Sequence, residues 1–133
     1  MNTYVTPRPL GDSLPPQVGS SSPWGAVQHR QELAPGLWWV STAGHGGAWV
    51  SPERLAELPE VVRRANIYSG AGSPWFEEDA EWALVALVFP EAFAKGTTSP
   101  EKVIEVARRS LTICGGTEVY GEALAALDAR VGA

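Results

Sequence analysis

The sequence predicts an α+β fold in which a small N-terminal antiparallel hairpin or sheet packs against three to four helices. Three observations predict it. The first half of the chain carries short runs rich in aromatic and β-branched residues, which favour strands. The second half carries longer runs with apolar residues three and four positions apart, which is typical of helices. The strand-like runs come first and the helical runs follow, as expected of an α+β domain.

The length of 133 residues predicts one domain. Residues 1–22 are rich in Pro, Gly and Ser and show no apolar period, which predicts a flexible leader. Residues 23–133 are then the single domain. Six tryptophans and an apolar fraction of 44% can supply its core without a disulfide or a metal, because each tryptophan buries a large area.

The net charge of −5 argues against direct nucleic-acid binding, which needs a positive field. The single cysteine, Cys114, excludes an intramolecular disulfide and fits a reducing compartment. The first residues contain no apolar core of a secretory signal. The longest apolar run, residues 82–89, is far short of the ~20 residues that cross a bilayer. We therefore expect a cytoplasmic protein that makes no membrane contact.

Two strands and a turn are predicted in the first part of the domain. Residues 25–33 and 37–42 flank the turn signal Pro35-Gly36, so they predict a hairpin. Ala48-Trp49-Val50 predicts a third short strand.

Three Ser-Pro pairs predict three helix starts, at Ser51-Pro52, Ser73-Pro74 and Ser99-Pro100. The serine oxygen can accept a bond from a free backbone N–H, and proline lacks only an N–H that has no partner there. The first helix is predicted to break at Pro59.

The second helix is predicted from Pro74 to about residue 89, with an acidic first turn that complements the helix dipole. Residues 82–89 are apolar on every side, which favours a helix at the centre of the core, with a strand as the alternative.

The third helix is predicted over about residues 100–113, and Gly115-Gly116 ends it. The residues of its apolar stripe are Val103, Val106, Ala107, Leu111 and Cys114. Cys114 is therefore predicted to be a buried structural thiol. A last helix is predicted from about Thr117, with an apolar face formed by Tyr120, Leu124, Leu127 and Val131.

His45 lies among three glycines, directly after a predicted strand. One interpretation is a general base or metal ligand in a loop that approaches a ligand closely. The other is a tight turn that needs positive φ, in which His45 bonds locally. The loop lacks the Gly-Lys-Ser/Thr ending of a P-loop, and the chain has no Gly-x-Ser-x-Gly elbow of a hydrolase.

A second candidate group consists of carboxylates that share a predicted helix face. They could pair with one another and, together with His45, hold a divalent cation. Alternatively they are a solvated helix start. His29, the other histidine, matches no standard metal motif, so no metal and no cofactor is predicted. The carboxylates are Glu77, Glu78, Asp79 and Glu81.

Several segments occur in a characteristic order: Ser22-Pro23-Trp24-Gly25, Val40-Ser41-Thr42-Ala43, His45-Gly46-Gly47 and Trp75-Phe76-Glu77-Glu78-Asp79. In this order the chain, over roughly residues 22–95, resembles a small domain of unknown function carried by bacteriophages, plasmids and other mobile elements. The His-Gly-Gly and Trp-Phe-Glu-Glu-Asp segments are its most distinctive parts. The resemblance implies an accessory protein of a mobile element, and it carries over no catalytic residue.

This setting predicts a protein that acts by protein–protein binding. The expected partner is a host defence nuclease complex of the CRISPR–Cas or restriction type, so the chain is a candidate anti-CRISPR or anti-restriction inhibitor. Carboxylates would face Lys and Arg side chains of that complex, and tryptophans would anchor the contact. The predicted contact residues are Glu77, Glu78, Asp79, Glu81, His45, Trp49 and Trp75.

Two other functions stay open. One is a small metal-assisted hydrolase that uses His45 with the carboxylates of Glu77, Glu78 and Asp79. The other is a structural module without a site. The lack of a convincing catalytic set makes an enzyme the less favoured interpretation.

Overall fold

The structure, a computed structural model, describes residues 13–67, 69–96 and 98–132, with the side chains of residues 117, 131 and 132 left out. Residues 1–12 of the predicted leader and the side chain of Val131 lie outside this description. The strands are β1 (Ser21–Ser22), β2 (Gly25–Ala26), β3 (His29–Ala34), β4 (Leu37–Ser41), β5 (Gly46–Val50) and β6 (Trp75–Glu77). The helices are α1 (Pro52–Glu57), α2 (Glu60–Arg64), α3 (Trp82–Val88), α4 (Pro90–Phe93), α5 (Pro100–Cys114) and α6 (Gly116–Gly132). The predicted α+β class is confirmed.

The main sheet has four antiparallel strands in the order β3-β4-β5-β6, and β1 and β2 form a second, two-stranded sheet. The predicted hairpin is confirmed as β3 and β4, and the predicted third strand as β5. Gly36 makes the hairpin turn at φ +84°, and a Cβ there would lie 2.6 Å from the Ser51 Oγ atom. This position therefore needs glycine for both its conformation and its packing.

The two faces of the sheet differ in composition, because side chains alternate along a strand. The helix face carries Leu37, Trp39, Ala48, Val50 and Phe76, which belong to or pack on the large core cluster. Helix α3 contacts β5 and β6 on this face, and α4 contacts β3. The opposite face, called here the tryptophan face, carries Trp38, Val40, Trp49 and Trp75 and forms a second cluster with Val27.

The tryptophan face is covered by residues 13–28, a segment that contains no helix. Val27 is buried in the second cluster, and the ring of Trp24 meets that of Trp75 edge-on, with 5.6 Å between their centroids. The Arg30 Nη1 atom donates a bond of 3.0 Å to the carbonyl oxygen of Pro16, which is itself buried. Residues 13–28, which include the described part of the predicted leader, therefore pack on the sheet.

Most of the predicted helix boundaries are confirmed. Ser51 and Ser99 cap α1 and α5, and each hydroxyl accepts the N–H of the residue three positions later. The break at Pro59 separates α1 from α2, and Gly115 ends α5. The alternative of a strand at residues 82–89 is wrong, because Trp82–Val88 forms α3 and buries residues 83–86. In the described ranges no helix combines the length and the apolar character of a membrane span.

The predicted helix start at Ser73-Pro74 is wrong. Trp75–Glu77 forms strand β6, and the hydroxyl of Ser73 accepts the N–H of Trp75 across 3.1 Å ahead of that strand. The aromatic pair Trp75-Phe76 favours a strand, and β5 provides a ladder for it. Tertiary pairing therefore overrides a local helix-start signal.

The predicted apolar stripe of α5 is only partly correct. Val103, Ala107 and Leu111 are buried, but Val106 is exposed. Cys114 is an exposed free cysteine, so the prediction of a buried thiol is wrong. Residues 112–114 are all exposed, because the last turn of α5 extends beyond the core. On α6, Tyr120 and Leu127 are buried and Leu124 is half-buried, as predicted.

Candidate functional site

The two most distinctive sequence segments meet at one end of the main sheet. Gly47 of β5 pairs with Glu77 of β6, and the Glu78 N–H donates a 2.9 Å bond to the Gly46 carbonyl oxygen. The His-Gly-Gly loop and the Trp-Phe-Glu-Glu-Asp segment are therefore neighbours in space.

His45 bridges these two segments through its ring. Its Nδ1 atom lies 2.9 Å from Glu78 Oε2, and its Nε2 atom lies 3.9 Å from Asp79 Oδ2. Thr42 anchors the loop through its hydroxyl group. This hydroxyl lies 2.7 Å from the carbonyl oxygen of His45 and 3.1 Å from the carbonyl oxygen of Trp24. The histidine thus contacts acids more than thirty positions away along the chain.

The glycines of the loop serve close packing. The predicted tight turn with local bonds to His45 is confirmed, because the Thr42 N–H donates a 2.8 Å bond to the His45 carbonyl oxygen. The positive φ expected of this turn is wrong, since Gly44, Gly46 and Gly47 all lack it. A Cβ at Gly47 would lie 2.3 Å from the Phe76 carbonyl oxygen and 2.6 Å from Cη2 of Trp24. Glycine at this position lets β5, β6 and the Trp24 ring approach one another.

Glu77 is buried, and its carboxylate closes the turn that leads from β6 into α3. Oε1 accepts the N–H groups of Ala80 at 2.7 Å and Glu81 at 2.9 Å, and Oε2 accepts that of Asp79 at 2.7 Å. A carboxylate in this position satisfies several N–H groups ahead of a helix, as an N-cap residue does. The signal in the sequence was an acid shortly before an apolar run.

Four of the seven predicted contact residues face the interior. Glu77 and Glu81 are buried, and Oε2 of Glu81 accepts the Ile67 N–H at 2.6 Å. Trp49 and Trp75 are buried in the second cluster. These four side chains expose little surface, and their assignment as direct partner contacts stays a prediction.

The other three predicted residues are accessible and adjacent. The side chains of His45, Glu78 and Asp79 are 44%, 37% and 68% exposed. We call Glu78 and Asp79 the acidic ridge. Asp79 is the more exposed of the two acids, and Glu78 is oriented by its bond to His45.

Two concavities flank the acidic ridge. The histidine pocket has a volume of about 280 Å³ and is lined by Pro23, Trp24, His45, Ser69, Glu77 and Asp79. The aromatic groove has a volume of about 550 Å³ and is lined by Trp39, Glu78, Asp79, Trp82, Phe93 and Ser110. The sequence offered no means of grouping these aromatic residues, since they come from separate elements that only the tertiary fold brings together.

The histidine pocket also contains a set of possible metal ligands. His45, Glu77 and Asp79 each offer one ligand atom, and these atoms lie within 4.8 Å of one another. When Nδ1 donates its proton to Glu78, the Nε2 lone pair is available, an arrangement that orients histidine ligands in metalloproteins. A nitrogen and two carboxylate oxygens suit zinc or manganese. Glu77 would ligate while its oxygens also accept three N–H bonds.

The chain belongs to the DUF7007 family, a domain of unknown function whose family model matches residues 17–128. The matched region includes the acidic ridge and both concavities. Neither a curated protein nor a solved structure matches the chain.

Proposed function

We propose that this member of the DUF7007 family is a protein-binding module that contacts a basic partner through the acidic ridge. One observation carries the proposal: two accessible carboxylates on adjacent residues lie beside two concavities, one lined by the Trp24 ring and the other by three aromatic rings. Aromatic anchors beside charged groups are the combination that concentrates binding energy in protein interfaces.

The charges of the site support a cationic partner. Glu78 and Asp79 present two negative charges on adjacent residues, and the chain as a whole carries a formal charge of −5. Complementary charge accelerates the encounter with a positive partner and excludes like-charged ones. Because the ridge is partly exposed, its attraction is screened by salt.

The partner class follows from charge complementarity together with the resemblance to mobile-element domains. A host complex that handles nucleic acid carries Lys and Arg side chains where the phosphates bind. An accessory protein of a phage or mobile element could occupy that surface with its carboxylates. A CRISPR–Cas or restriction complex is the proposed target, and inhibition of a host defence nuclease is the proposed outcome.

Affinity capture from a bacterial host lysate tests this proposal. The tagged protein should retain a specific nuclease complex at low salt and release it at high salt. Asp79→Lys should abolish capture. Glu122→Lys, which reverses an exposed acid on α6 that lines neither concavity, should leave capture unchanged. Equal capture by both variants would contradict the ridge as the contact surface.

The cluster of His45, Glu77 and Asp79 favours a second candidate, a metal-assisted hydrolase. A divalent cation held there would lower the pKa of a bound water and create a nucleophile. Glu78 would then orient the histidine ligand.

Elemental analysis and calorimetric titration with Zn²⁺ and Mn²⁺ test the second candidate. The native protein should contain close to one metal per chain, and His45→Ala should lose it. Asp79→Asn should weaken metal binding, whereas Glu122→Gln should not. Native protein that neither contains nor binds a metal removes the hydrolase. His45→Ala with intact partner capture would favour the binding module.

A further inference from the structure

We propose that the aromatic groove is a subsite for one arginine side chain of a protein partner. This inference rests on the proposed function, in that the arginine belongs to the basic partner. The groove combines the rings of Trp39, Trp82 and Phe93 with the two carboxylates of the acidic ridge. All three rings are half-buried, so part of each ring reaches the surface.

The groove attracts positive charge from two directions. The rings of Trp82 and Phe93 lie 5.9 Å apart at 45° and form an aromatic wall, and the face of an aromatic ring carries negative electrostatic potential. The acidic ridge adds two carboxylates to the lining. None of the described residues that line the groove is a lysine or an arginine, so no cation of the lining neutralises it.

Arginine fits this combination better than lysine does. A guanidinium is planar and stacks on aromatic rings, while its N–H groups form a fork that matches a carboxylate. The ammonium of lysine is a compact, strongly hydrated charge without a flat face. In the groove, the aromatic rings can contact the flat face of the guanidinium, and the carboxylates of the acidic ridge can accept the N–H groups at its edge.

The chain itself uses the same arrangement twice among its described residues. The guanidinium carbon of Arg30 lies 4.7 Å from the Trp38 ring centroid, and a nitrogen of the same group donates to the Pro16 carbonyl oxygen. The guanidinium carbon of Arg54 lies 4.8 Å from the Phe89 ring centroid, and the Arg54 Nε atom donates a 2.8 Å hydrogen bond to the Pro35 carbonyl oxygen. In both places the guanidinium carbon lies over an aromatic ring while a nitrogen of the same group donates to a carbonyl oxygen.

The acidic ridge also sets the position of neighbouring charges in the partner. Asp79 lines both concavities, so an arginine in the groove lies beside the histidine pocket. A second basic residue of the partner can approach Asp79 from the Trp24 side. The expected ligand is therefore an exposed basic segment with one arginine in the groove.

Titration of the ¹⁵N-labelled protein with capped tripeptides tests the subsite without any partner. The probes are Gly-Arg-Gly, Gly-Lys-Gly and Gly-citrulline-Gly; citrulline keeps the shape of arginine but not its charge. The indole N–H signals of Trp39 and Trp82 should move with the arginine peptide. Its binding should be about tenfold tighter than that of the citrulline peptide. Equal binding of the two, or shifts confined to Trp24, would overturn the subsite.

Two variants distinguish the contribution of the aromatic rings to arginine binding from the contribution of the carboxylate charge. Asp79→Asn changes an exposed side chain and should weaken arginine binding several-fold. Phe93→Leu keeps an apolar side chain but removes a ring and should do the same. Trp38→Phe changes a half-buried ring that lines neither concavity, so it is the matched control and should leave the binding unchanged. Unaltered binding in Asp79→Asn would overturn the role of the ridge even if Phe93→Leu fails to fold.

The peptide titration and the lysate capture fail independently. Arginine binding without a captured partner supports the subsite and counts against the proposed defence target. Capture through the ridge without arginine binding supports the protein-binding module and overturns the subsite.

Discussion

The two faces of the main sheet bury their side chains in different ways. The helix face packs against α3 and α4 and shares a large cluster of mostly aliphatic residues. Among the described residues, the buried apolar side chains of the second cluster are Val27, Val40, Trp49 and Trp75, and the tryptophan face is covered by residues 13–28, which contain no helix. Because each tryptophan buries a large apolar area, a thin layer of chain suffices to close this face.

The candidate site lies where the two faces of the main sheet meet. The histidine pocket opens beside Trp24, which packs on the tryptophan face, and the aromatic groove opens beside Trp39, on the helix face. The acidic ridge follows β6 directly and stands between the two. The site is therefore the place where the two faces meet at one end of the sheet.

The largest expected effect compares neighbours on β6 that point to opposite faces. Phe76→Ala, on the helix face, should lower the free energy of unfolding by about 3–5 kcal/mol, because the large core cannot collapse onto the cavity. Trp75→Ala should cost only about 2–3 kcal/mol, because the irregular cover can relax.

Urea denaturation followed by circular dichroism measures both changes. If the alanine variants do not fold, Phe76→Leu and Trp75→Leu should keep the same order. A larger loss of unfolding free energy in the Trp75 variants than in the Phe76 variants would contradict the idea that the tryptophan face relaxes more easily than the helix face.

Glu77 connects the main sheet to the helix layer, because it lies on β6 and its carboxylate caps the turn into α3. Glu77→Ala should cost about 2–3 kcal/mol, since two buried N–H groups and a part-buried one lose their carboxylate acceptor. Its neighbour Glu78 is the matched control, and Glu78→Ala should cost less than about 0.5 kcal/mol. Thermal and urea unfolding provide the measurement, and similar losses in both variants would show that the cap contributes little.

Two glycines of the His-Gly-Gly loop should respond in opposite directions. Gly47→Ala should cost about 1–3 kcal/mol, because its Cβ would overlap the Phe76 carbonyl oxygen and the Trp24 ring. Gly44→Ala meets no atom within 4 Å and should stabilise the fold by about 0.4–1 kcal/mol through the unfolded state. Melting temperatures of the two variants decide this, and a neutral Gly47→Ala would mean that the β6 backbone and the Trp24 ring both shift at little cost.

The smallest expected effect concerns the cover of the tryptophan face. Arg30→Ala removes the stacking on Trp38 and the bond to Pro16, and should cost about 0.5–1 kcal/mol. Arg109→Ala removes an exposed helix ion pair with Glu105 and should cost less than about 0.5 kcal/mol. Amide hydrogen exchange of residues 16–27 should rise in the first variant alone.

Local signals predicted much of the fold. The Pro35-Gly36 turn and the caps at Ser51 and Ser99 were correct, because each depends on chemistry within a few residues. Ser73-Pro74 carried the same cap signal and was misleading, because the partner of Trp75 lies on β5. Pairing across distant positions is not visible in a local window.

The site was predictable only in part. His45, Glu78 and Asp79 were singled out for their chemistry, and the structure places them together. Trp49 was expected at the surface because tryptophan is frequent in interfaces, but it lies in a core. Trp39 and Phe93 were not selected, since a half-buried ring and a buried one look the same in a sequence.

The edges of the sheet make the chain a poor template for the growth of aggregates. The outer strand β3 exposes Arg30 and Glu32 and has an irregular register just after Glu32, and the opposite edge β6 spans only three residues behind Pro74. Charges, irregular pairing and short length all discourage another strand from adding to an open edge. Self-association through backbone pairing is thereby suppressed at both edges of the main sheet.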